Sequence, residues 1–70
     1  MQTQPISQAR EHLAREGAFE FRPIPQSTSH VRAYRHAPSY PGMFGEQIIY
    51  QTHQGQWHTT DAWILTESMA

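Results

Sequence analysis

The hydrophobic pattern changes period along the chain, and the changes mark the elements. Over residues 5–16 the apolar positions Ile6, Ala9, Leu13 and Ala14 recur at helical spacing, Pro5 suits a first turn and Gly17 suits a left-handed cap. That spacing predicts one amphipathic helix. Glu11 and Arg15 fall at i,i+4 on its wet side beside Arg10, His12 and Glu16, which leaves a narrow apolar stripe. A helix of this kind needs a sheet to cover.

At residues 18–22 the period becomes two, with Phe19 and Phe21 against Glu20 and Arg22, the pattern of a half-buried strand. Pro23 and Pro25 end it, and because proline lacks the donor a central ladder requires, they mark an edge strand or the exit from one. Residues 30–36 alternate Val31, Ala33 and Arg35 against His30, Arg32, Tyr34 and His36 and predict a second strand, neither face of which is clearly apolar. Residues 37–45 contain Pro38, Pro41, Gly42 and Gly45 and predict a long loop that also carries Tyr40, Met43 and Phe44.

Residues 46–60 read as a β-hairpin turning at Gln54-Gly55. A two-residue turn there pairs position 50 with 59 and 52 with 57, which puts Ile48, Tyr50, Thr52, Trp57 and Thr59 on the core face. Ile49, Gln51, His53, Gln56, His58 and Thr60 then form the wet face, and a three-residue loop would shift this register by one. Over residues 61–67, Asp61 suits an N-cap and Ala62-Trp63-Ile64-Leu65 a short C-terminal helix, with a buried strand the alternative, since periodicity does not separate the two at this length. The expected architecture is a single α+β domain over residues 1–70: an N-terminal helix packed on a small antiparallel sheet of three to four strands, including the 46–60 hairpin.

Composition narrows the chemistry. The chain has 70 residues, no cysteine, and a net charge of −1 from five arginines and six acidic residues. It offers no disulfide, thiolate metal site or cysteine nucleophile, no leader-like segment and no apolar run long enough for a membrane span, so a soluble cytoplasmic protein with no membrane association is the expectation. The carboxylates are scattered, no serine sits in a nucleophile elbow, and no glycine loop precedes a phosphate-binding lysine, so no enzymatic activity and no cofactor are expected.

Three binding readings remain. The first is a small protein-binding module, an adaptor, accessory or inhibitor of a larger complex or a self-associating homodimer, with Tyr40, Met43, Phe44 and Trp63 as its interface. Size alone is also compatible with a small phage- or plasmid-encoded inhibitor of a host system. The second is a nucleic-acid-binding module on the 30–36 strand using Arg32, Tyr34 and Arg35, which the near-neutral charge and the placement of the two arginines on opposite strand faces disfavour. The third draws on the five histidines: His53 and His58 lie diagonally across the expected hairpin as candidate metal ligands, without a third ligand that the chain forces beside them.

Overall fold

A computed structural model of the chain describes residues 6–52 and 54–69. Helix α1 (Ile6–Arg15) is followed by strands β1 (Glu20–Pro23), β2 (His30–His36), β3 (Phe44–Gln51), β4 (Trp57–Thr59) and β5 (Ile64–Thr66). The strands form one antiparallel sheet in the order β1-β2-β3-β4, and β5 also pairs with β3. The outer side of β3 is thus shared between β4 at one end and β5 at the other.

The helix ends where the sequence says it should. Gly17 takes φ +107, Ala18 N–H donates to Leu13 O and Gly17 N–H to Ala14 O, the paired bonds of a Schellman cap that only a left-handed residue permits. The reversal drops the chain into β1 and lays Ala9 and Leu13, both fully buried, on Val31, Ala33 and Ile49. Ile6, Ala18, Phe21, Trp57 and Trp63 pack around that cluster.

Two expectations are corrected. The hairpin pairs Tyr50 with His58 and Gln51 with Trp57, one step from the expected register. Thr52 N–H donates to Gln56 O, and Gly55 takes φ +83. The connection is therefore the three-residue kind with a left-handed glycine at its end, and the one-residue slip exchanges the faces of β3. Ile49 rather than Ile48 faces the helix, alongside Gly45 and Gln47, while Ile48 and Tyr50 lie on the other side with His58. Trp57 keeps its place against the core.

The second correction is the tail. Residues 64–66 form a strand, β5, and not a short C-terminal helix. Thr59 pairs with Ile49 and Ile64 with Glu46, so the outer strand spends four residues, 60–63, where β3 spends two. This bulge uses the very residue read as an N-cap: Asp61 takes φ 61, its N–H donates to the Gln47 side chain at 3.0 Å, and its carboxylate accepts from Thr59 Oγ1 at 2.7 Å. With Asp61 committed to the bulge, the apolar run continues extended, and β3 supplies its backbone partners.

Ala33 and Tyr34 are neighbours in the central strand and both are fully buried, so the sheet is covered on both faces at that point. The helix covers Ala33. On the second face Arg22 Nη1 donates to Met69 O at 2.9 Å, which draws the segment after β5 back across the sheet.

A candidate protein-binding edge at β5

The alternation of backbone bonds along β3 decides which groups of the outer strands are free. Thr60 N–H donates to Ile48 O and Thr52 N–H to Gln56 O, whereas Gln51 N–H donates to Ser29 O. Successive residues of an antiparallel strand turn to opposite neighbours, so the even-numbered residues of β3 bond outward to β4 and β5. The pairs Phe44–Thr66 and Glu46–Ile64 are therefore the bonded ones, and Leu65, opposite Gly45, turns its N–H and C=O away from the sheet.

The side chains at this edge are as open as its backbone. Ile64 is 69% exposed and Leu65 44%, one on each face of the sheet. Neither is charged and no proline interrupts the strand. Beside Leu65, on the helix side, Arg35, Ala37, Pro38, Tyr40, Gly45 and Trp63 line a mostly apolar hollow of about 220 Å³. Its floor is Trp63, held from three sides. The indole N–H donates to Glu16 Oε1 at 2.8 Å, and the Arg35 guanidinium stacks on the ring with its carbon 4.4 Å from the centroid. Arg35 is itself fixed by donating to Glu16 O at 2.9 Å. Gly45 is the third constraint: a Cβ there would stand 3.4 Å from Trp63 Cε3 and 3.4 Å from Arg35 Cγ, so the indole lies directly on β3 with no room for a side chain larger than a methyl group.

The wall opposite Trp63 is the loop between β2 and β3. Ala37 N–H donates to Met43 O and Met43 N–H to Tyr40 O, a closure that leaves Tyr40 53% exposed at the rim. Of the four side chains expected at a protein interface, the structure brings Tyr40 and Trp63 together here. Met43 is half-buried at the foot of the loop. Phe44 lies elsewhere, its ring 5.7 Å from that of His36 and 6.1 Å from that of Phe19. Ile64 and Leu65 belong to the edge and were not among the expected residues, because the run that contains them reads as a helix or a buried strand and carries no sign of an exposed one.

The nucleic-acid trio is not gathered on one open surface. Tyr34 is fully buried, Arg32 shares its face with its Nε 4.0 Å from Glu46 Oε1, and Arg35 is on the helix side against Trp63. The second face does carry an aromatic row, with the Tyr50 ring 6.4 Å from His30 and 5.6 Å from His58. Of the candidate metal pair, His58 is in this row and His53 lies outside the described residues. Among the described residues no group of three or more histidine or carboxylate side chains is placed to hold a metal ion. No described helix is long and apolar enough to cross a membrane.

Comparison with protein-family models, with curated proteins and with solved structures finds no match.

Proposed function

We propose that this chain is a small non-enzymatic protein-binding module, which receives an extended segment of its partner along the outer side of β5. The carrying observation is the coincidence, at one place, of an unpaired strand backbone at Leu65, two exposed aliphatic side chains, and the Trp63–Tyr40 hollow. A strand added to a sheet edge draws affinity from main-chain hydrogen bonds and selectivity from the pocket that takes one of its side chains. Here the incoming residue beside Leu65 on the helix face meets the hollow, so an apolar residue belongs at that position. Glu16, Arg35 and Gly45 serve the site by holding Trp63 still, which limits the ordering entropy that binding costs.

The test is selection of short linear peptides from a random displayed library on the folded chain, with the survivors mapped by amide and indole resonances. Apolar peptides that shift the Leu65 amide and the Trp63 indole, and that lose binding to Leu65→Pro, are the expected result. Peptides that shift only His30, Tyr50 and His58, or single-stranded oligonucleotides that bind in their place with steep salt dependence, would replace this reading with one of the second face.

A further inference from the structure

We infer that the strand received at β5 is β5 of a second copy, paired antiparallel about a two-fold axis at Leu65. The inference rests on the reading of this edge as a strand-accepting one. Two features of the edge favour a copy of itself.

The first is the parity of the backbone. A two-fold axis can pass between two strands only where a residue meets its own equivalent, and with Leu65 N–H and C=O both pointing outward that meeting is a bonded pair. Leu65 N–H of each copy donates to Leu65 O of the other, and the sheets join edge to edge with both helices on one side.

The second is the match of side chains. Antiparallel pairing about Leu65 sets Leu65 beside Leu65 on the helix face, closing the mouth of both hollows, and sets Ile64 beside Thr66 on the other face. The exposed apolar side chains of β5, Ile64 and Leu65, are thereby covered in both copies. Each copy completes the other's site by contributing its Leu65.

Nothing within Ile64–Thr66 opposes the pairing, for the strand contains no charge and no proline. A contact centred on three residues a side belongs to the small, reversible class of interfaces, below about 1,200 Å² in total.

Sedimentation and light scattering of the full chain, from low micromolar to millimolar concentration, give the direct test. The mass should rise from 8.1 kDa toward twice that value with concentration. Leu65→Arg, at a side chain that is 44% exposed, sets like charges together on the axis and should weaken association about tenfold or more, while Glu11→Arg on the exposed helix face should leave it unchanged. Since the chain has no cysteine, Leu65→Cys is a unique reporter. A bonded antiparallel pair sets its two Cα atoms about 5.5 Å apart, within reach of a disulfide, so this variant should cross-link to a dimer under mild oxidation. A monomer at every concentration overturns the inference, as does a dimer indifferent to Leu65→Arg that does not cross-link through position 65. If the chain is monomeric while selected peptides still shift the Leu65 amide, the second copy falls and the strand-accepting edge stands. If neither copy nor peptide engages β5, both fall.

Discussion

Two of the outer strands of the sheet, β1 and β5, are treated in opposite ways. In β1, Ile24 N–H donates to His30 O, so the even-numbered residues bond inward and Phe21 and Pro23 face outward. Pro23 has no N–H to offer there, the Arg10 guanidinium carbon stands 5.5 Å from the centroid of the Phe21 ring, and Glu20 and Arg22 approach each other at 3.7 Å. These are the usual guards of an edge: a proline, charges and a cover. β5 has none of them. Its outward residue is Leu65, its neighbour Ile64 is the more exposed of the two, and the nearest structural irregularity, the Asp61 bulge, protects only the junction with β4. The proposed binding edge rests on this difference: β1 is guarded, and β5 is bare beside a tryptophan held in place.

The contrast can be broken or sharpened by substitution, taken here from the largest effect on stability to the smallest. Leu13→Ala empties the centre of the core that both edges share and should cost about 2–5 kcal/mol, with β1 and β5 losing exchange protection together in denaturant. If β5 alone melted, the two edges would not share one cooperative core. Gly45→Val separates them: its side chain enters the space of Trp63 and Arg35, and overpacking of this kind costs about 1–3 kcal/mol. The Trp63 indole resonance should move and partner binding fall, while the amides of β1 stay where they are. Leu65→Pro removes an N–H that points away from β3, so thermal unfolding should show a loss below about 1 kcal/mol, and binding at the edge should vanish. It gives β5 the device that β1 already has. Pro23→Thr does the reverse, restoring a donor to the guarded edge with a stability change within about 0.5 kcal/mol. Light scattering should then detect a second, weaker association that wild-type chains lack.

The helix, its glycine cap and the first strand are legible from the residues because each rests on a local signal: apolar spacing, a glycine required at positive φ, a clean alternation. The hairpin register is not. Gln54-Gly55 identifies the turn but not whether Gly55 closes a two- or a three-residue loop, and that single residue decides whether Ile48 or Ile49 meets the helix. The tail fails for a different reason. Ala62-Trp63-Ile64-Leu65 contains no period, and its state is set by a partner far away in sequence, the free half of β3, and by Gln47 holding the Asp61 bulge. Of the site, Tyr40 and Trp63 are legible as large side chains without an obvious cover. Arg35 and Gly45 are not, because their roles exist only once β2, β3 and the tail are side by side.

The outward-pointing backbone N–H groups of Leu65 on β5 and Phe21 on β1 allow these two edges to be compared in one measurement. Amide hydrogen exchange of the full chain is followed at both positions at low and high concentration and with a selected peptide added. The account predicts that Leu65 becomes protected as concentration or peptide increases, while Phe21 exchanges at an unchanged rate. Exchange at Leu65 that is indifferent to both, or protection that grows equally at Phe21, would contradict the claim that β5 is the binding edge.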